Sequence, residues 1–190
     1  MAKRVKKSTS SLLKEPAVLY KINKASFTER SSIAHLSVSH SKSSSKKENH
    51  AIIRWLGGAQ LVSTFILSDF DLINIGSEGI SKSSVDVLAN YLGISRKSMA
   101  EDIFDLSVKT LERKAPSDKM DKRTSSHAVE IAKIMQHAFE VFEDEEKMKE
   151  WLNKENRALN GVKPVALFDT MTGLNMVNDI LYKIEEGIYS

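Results

Sequence analysis

From Ile52 onward the apolar residues fall into short groups separated by helix punctuation, and their spacing is helical. Ser68-Asp69-Phe70-Asp71 sets a capping hydroxyl three residues before an acid, which predicts a short helix that closes at Gly76. A second helix is expected from a Ser81 cap through Val85, Leu88, Ala89 and Leu92, spaced i, i+3, i+4, i+7, with Gly93 as its stop. Ser95 then caps a segment carrying Met99, Ala100 and Ile103. After a connection at Asp105 and Leu106, Ser107 caps a helix through Val108, Leu111 and Arg113. Pro116 ends this pair, because proline lacks the N–H a helix needs and restricts the residue before it. Ser117–Thr124 reads as a polar loop.

The most regular stripe follows. Ala128, Ile131, Ala132, Met135, Ala138, Phe139 and Phe142 share one face of a helix expected to start near Ser125 or Ser126. Asp144 opens a helix with Met148, Trp151 and Leu152 inward, Asn153–Lys163 reads as a loop, and Pro164 suits a first helical turn. The last helix has Leu174, Val177, Leu181 and Ile184 on one face and ends at Gly187. Nothing reads as a sheet or a solenoid repeat, so the expected fold class is all-α.

Residues 1–50 break this pattern. They are rich in serine and lysine, and Ser41–Lys47 reads SKSSSKK, a run that cannot bury enough surface to offset the entropy of ordering it. The expectation is a disordered arm, with a weak apolar patch at Ala17–Ile22. Charge divides at the same place. The arm carries 11 Lys+Arg against 3 Asp+Glu, net +8, and the remainder 17 against 22, net −5. A basic arm can hold a polyanion through counterion release, or be basic merely to stay solvated. A serine-rich, acid-poor start also admits an import peptide, against which the lysine bias argues. No apolar stretch approaches a bilayer span, and the basic Met1–Lys7 is followed by serines rather than an apolar run, so neither membrane nor secretion is expected. The absence of cysteine removes disulfides, thiolate metal sites and a cysteine nucleophile, and suits a cytoplasmic location.

Candidate chemistry is sparse. His35, His40, His50, His127 and His137 include no i, i+4 pair, so no metal site is expected. Phosphate loops, nucleophile elbows and dinucleotide fingerprints are missing. The acids from Glu140 to Glu150 cluster at a helix start, where the macrodipole favours them. The chain is expected to be no enzyme and to hold no cofactor.

Two segments stand out instead. Ala100–Arg113, AEDIFDLSVKTLER, has helix-turn-helix spacing: Ile103, Leu106 and Leu111 face inward, Ser107 caps, and Lys109, Thr110, Glu112, Arg113 and Lys114 lie outside. Such a helix can enter a major groove, or be a plain helical hairpin with a solvated face. At the C-terminus, Glu185 and Glu186 occupy a last turn whose dipole disfavours anions. Gly187 is a left-handed cap, and Ile188, Tyr189 and Ser190 form a tip that either packs back on Ile184 or plugs a basic pocket.

Read together, these regions resemble the Xre/MbcA/ParS-type antitoxin family, whose partners are RES-domain toxins. The resemblance covers roughly residues 73–190. It is most specific at Phe142, Asp144-Glu145-Glu146, Trp151-Leu152, Asn156, Ala158-Leu159, Gly161, Lys163-Pro164, Leu167, Thr172-Gly173, Val177, Leu181 and Ile184 to Ser190. Gly79-Ile80, Leu88-Ala89, Leu92-Gly93, Ser95, Leu106-Ser107, Thr110-Leu111 and Arg113 carry the Xre-like part. Two positions depart: Glu101 falls where a small packed residue is usual, and Asp105 where glycine often turns the chain, although aspartate tolerates that conformation.

Behind the disordered arm (1–50) expected from composition, the resemblance implies an Xre-like helix-turn-helix module (51–124) and a helical toxin-binding domain (125–190). It implies a type II antitoxin that neutralises a toxin consuming NAD or transferring ADP-ribose from it, and that represses its own operon. Operator DNA would meet Ser107, Lys109, Thr110, Arg113 and Lys114. The toxin would meet Trp151, Lys183, Glu185, Glu186, Tyr189 and Ser190, with the C-terminal end in or over its active site and NAD belonging to the toxin. A homodimer or a higher assembly with toxin is expected. The competing readings are a stand-alone DNA-binding regulator and an adaptor acting through protein contacts alone.

Overall fold

Nearly every helix start is set by a side chain that satisfies the first free N–H groups. The computed structural model describes residues 51–64 and 66–188; the expected disordered arm, Tyr189 and Ser190 lie outside the described residues. Helix α1 (Asp69–Glu78) carries the predicted capping box, with Asp71 accepting the Ser68 N–H at 2.9 Å. Ser81 caps α2 (Lys82–Leu92), and Ser95 caps α3 (Arg96–Ser98), which passes into a π-helical turn at Met99–Ile103. Ser107 caps α4 (Val108–Glu112), Asp121 caps α5 (Lys122–Phe142), Asp144 caps α6 (Glu145–Asn153) and Thr170 caps α7 (Met171–Glu185). Short 3-10 turns lie at Gly58–Gln60, Arg157–Leu159 and Pro164–Leu167, the last with its proline in the first turn. Among the described residues β-pairing amounts to isolated bridges, Ser81 with Lys119 and Asn156 with Val162. The fold is all-α.

The structure corrects two boundaries. Helix α1 does not close at Gly76 but runs to Glu78, with Gly79 (φ 86°) after it. Gly76 is buried because α5 presses on it: a Cβ there would stand 2.7 Å from Ser126 Oγ. The glycine marks a close helix approach rather than a stop. Helix α5 starts at Lys122, not near Ser125 or Ser126, so the polar loop is shorter than expected. Ser125 is fully buried there, its hydroxyl accepting the Ile80 N–H at 3.1 Å, a tertiary bond that sequence pattern does not display.

Helix α5 lies at the centre, packed by α1, α6 and α7, and its burial is continuous from Ala128 to Ala138 except at half-buried Glu130 and His137 and exposed Lys133. The hydrophobic core also takes in the segment ahead of α1, where Trp55, in helical residues 51–55, is completely buried. Its indole N–H donates to Gln136 Oε1 at 2.8 Å, and its ring meets Tyr91 edge-on at 5.0 Å and Phe139 at 5.7 Å. His127 joins α5 to the Pro164–Leu167 turn, its Nε2 2.7 Å from the Phe168 carbonyl oxygen, which can only accept; Nε2 therefore carries the hydrogen.

Trp55→Ala should lower unfolding free energy by about 3–5 kcal/mol, read from urea denaturation, because it removes a large core side chain and leaves a cavity. A second expectation concerns pH. Burial lowers the His127 pKa below its ordinary 6.5, outweighing the bond to the Phe168 carbonyl, which raises it. A histidine held neutral in the fold contributes stability that is full above the unfolded pKa and is lost as pH falls toward the depressed folded value. Melting temperature should therefore drop on acidification below about pH 6.5, and His127→Gln should flatten that part of the profile.

Candidate functional site

Helices α5 and α7 lie side by side and point the same way: His127 meets Phe168 ahead of α7, and His137, further along α5, meets Asn178, Tyr182 and Glu185. Their C-terminal ends thus come to the same end of the molecule. Phe142 closes α5 there, and Trp151 of α6 packs against it with ring centroids 5.4 Å apart and planes tilted by 43°. Trp151 is half-buried, so only part of its surface is open to a partner.

The end of α7 is built by backbone bonds. The Ile188 N–H donates to the Lys183 carbonyl at 2.9 Å and the Gly187 N–H to that of Ile184 at 3.0 Å, with Gly187 at φ 66°. This is the glycine-dependent C-cap, and it fixes the direction in which the chain leaves the helix. Lys183, Glu185 and Glu186 are exposed. Ile188 is 71% exposed, so it projects rather than packing back on Ile184. Of the six residues expected to face a toxin, Lys183, Glu185 and Glu186 sit in this last turn, Trp151 packs against Phe142 at the end of α5, and Tyr189 and Ser190 lie outside the described residues. Two anions at a helix C-terminus gain nothing from the dipole, with Lys183 the basic residue of the last turn.

Beside this end runs a cleft of about 560 Å³ whose walls include Asp69, Glu130, Glu140 and Glu185, with Lys133 and His137 among them. Its character is acidic. Among the described residues no group of histidines and carboxylates is arranged to hold a metal ion.

The second candidate surface is the α3–α4 pair. The π turn at Met99–Ile103 takes one more residue than an α turn, and Asp105 follows in the left-handed region at φ 53°. Ala100 is fully buried whereas Glu101 faces solvent with Lys97 3.8 Å away, so Glu101 does not occupy a packed slot. On α4, Ser107 and Thr110 are occupied with each other: the Ser107 hydroxyl accepts the Thr110 N–H at 3.2 Å and shares a 2.8 Å bond with its hydroxyl. Lys114 Nζ donates to the Lys119 carbonyl at 2.8 Å. Lys109 and Arg113 are exposed, the Arg113 Nε donating to the Lys109 carbonyl at 3.3 Å. The five positions therefore divide into a cap, a backbone tie and two solvent-facing cations.

Sequence reasoning missed the His137 contacts. The residue borders the apolar stripe of α5, and its partner Asn178 is 41 positions away, so only the parallel docking of α5 and α7 reveals the pair.

Comparison with known proteins bears on the same region. Residues 137–187 match the family described as the antitoxin Xre/MbcA/ParS C-terminal toxin-binding domain. The chain is 26% identical over 133 residues to the Prs ADP-ribosylating antitoxin of Sphingobium sp. (strain YBL2), covering 65% of this chain and 83% of that protein. It is 25% identical over 116 residues to the antitoxin Xre of Photorhabdus laumondii subsp. laumondii, covering 60% of this chain and 78% of that one.

Proposed function

We propose that this chain, whose C-terminal domain belongs to the Xre/MbcA/ParS antitoxin family, neutralises a RES-type toxin that consumes NAD or transfers ADP-ribose from it. The observation that carries the reading is the end of α7, where a fixed cap presents Glu185, Glu186 and an exposed Ile188. A protein pocket that binds a dinucleotide pyrophosphate is cationic, and an acidic projection with an apolar tip complements it in charge and shape. The name of the Sphingobium relative, an ADP-ribosylating antitoxin, supports ADP-ribose chemistry on the toxin's side. This chain acts as a cytoplasmic inhibitor, without catalysis of its own and without a cofactor; NAD belongs to the toxin.

A second activity, repression of the shared operon, is favoured by the exposed Lys109 and Arg113 on a Ser107-capped helix that follows a tight left-handed turn at Asp105. A helix of five residues reads few base pairs, so operator binding calls for a dimer or a higher assembly with toxin. The apolar side chains of Leu67, Phe70 and Ile73, each more than half exposed, offer a surface for pairing two copies.

Removing residues 185–190 should weaken toxin inhibition at least tenfold, about 1.4 kcal/mol, with helicity and melting temperature preserved, because Leu174, Val177, Ile180 and Leu181 stay in place. Glu185→Lys with Glu186→Lys should lose inhibition while the melting temperature holds or rises, since cations suit a helix C-terminus and clash with a cationic pocket. Full inhibition by the truncated, folded protein refutes the reading. Lys109→Glu with Arg113→Glu should abolish operator gel shifts at physiological salt and spare inhibition; in titrations at lower salt the slope of log affinity against log salt should fall by about 2. Unaltered DNA binding by that variant removes the assignment of α4.

A further inference from the structure

His137 touches α7 at three places that succeed one another along one side of the helix. Its Nδ1 lies 2.7 Å from Asn178 Oδ1, its ring 4.4 Å from the Tyr182 ring, and its Nε2 3.5 Å from Glu185 Oε2. The positions 178, 182 and 185 are spaced i, i+4, i+7, a stripe beside the apolar one that holds α7 in the core. The His137 side chain is 14% exposed and that of Glu185 54%, so the contact runs from the interior of the protein to the rim of its C-terminal end.

The hydrogen positions follow from the partners. An amide oxygen only accepts, so Nδ1 carries the hydrogen toward Asn178. In the neutral ring Nε2 is then a bare lone pair, and this atom is buried, has no hydrogen-bond partner and faces a carboxylate oxygen. Two acceptors facing each other gain nothing. A proton on Nε2 converts the arrangement into a charge-assisted bridge from Asn178 through the ring to Glu185.

We propose that His137 is a positioning residue for the toxin-facing end of α7: the ring pins the last two turns through Asn178 and Tyr182 and, as imidazolium, captures the Glu185 carboxylate. This rests on the reading that the end of α7 meets the toxin. The charged and titratable groups lining the cleft with the ring are Glu130, Lys133 and Glu140 on its own helix, Asp69 across the cleft, and Tyr182 and Glu185 on α7. Glu186, exposed and outside this contact, stays free, so the two adjacent glutamates have unequal roles.

The isolated full-length chain tests this by NMR hydrogen exchange of the amides of residues 182–185, expressed as protection factors. Protection in the unaltered chain should be higher with the His137 ring protonated than with it neutral, the state of the ring being read from its own resonances. Glu185→Gln should remove that difference. His137→Ala should cut protection roughly fivefold, the loss of one net hydrogen bond. Asn178→Ala should do the same without emptying any core position, which preserves the test if His137→Ala unfolds. Unchanged protection in Asn178→Ala, or a pH response that survives Glu185→Gln, overturns the proposal. Toxin inhibition separates it from the reading beneath it. In a His137→Ala background Glu185→Gln should cost less inhibition than it does in the unaltered chain, whereas the cost of Glu186→Gln should be the same in both. If tip truncation abolishes inhibition while the exchange data show no clamp, the clamp falls and neutralisation stands. If the exchange data show the clamp and truncation leaves inhibition intact, neutralisation falls.

Discussion

The burial of α5 between α1 on one side and α7 on the other is the constraint from which the rest of the structure follows. The helix carries Ala128, Ile131, Ala132, Met135 and Ala138 fully inside the core, and its small side chains let neighbouring helices approach closely. Gly76 of α1 meets Ser126 at one crossing. Gly173, at the start of α7, presses on the Leu167 carbonyl, which a Cβ would overlap. With its first turn fixed there and its direction parallel to α5, α7 has one place to end, and the exposed C-terminal cap is the consequence.

Much of this was legible in the chain because it rests on local chemistry. The caps at Ser68, Ser81, Ser95, Ser107 and Asp144 and the left-handed ends at Gly93 and Gly187 are set by residues within a few positions of one another, and all form as the pattern predicts. What stayed hidden depends on contacts between distant residues. Gly76 looks like a stop until α5 lies against it, and the first turn of α5 looks like a loop until Ser125 finds the Ile80 N–H. The role of Trp55 requires Gln136, 81 positions on. Glu101 reads as a packed acid by its place in the motif, but Met99, Ala100 and Ile103 take the buried face and leave its carboxylate outside, near Lys97.

The candidate site was legible in a similar measure. The acidic end with its glycine cap can be read from the last residues, and resemblance to a family supplied the expectation that they face a toxin. Their geometry could not be read in advance. An exposed Ile188 follows from the particular pair of backbone bonds that end α7, and the link from Glu185 to the interior follows from the docking of two helices. On α4 the structure divides the five expected DNA contacts by what each already does, which leaves Lys109 and Arg113 as the solvent-facing cations among them.

The proposal that the end of α7 sits in a dinucleotide site of a partner toxin is decided by competition. Affinity of the full-length chain for a catalytically inactive form of its toxin can be titrated at increasing NAD concentration. If the acidic tip and the dinucleotide share one site, the apparent Kd rises in proportion to NAD once NAD exceeds its own Kd for the toxin. An apparent Kd that stays constant while the toxin is demonstrably saturated with NAD contradicts the account.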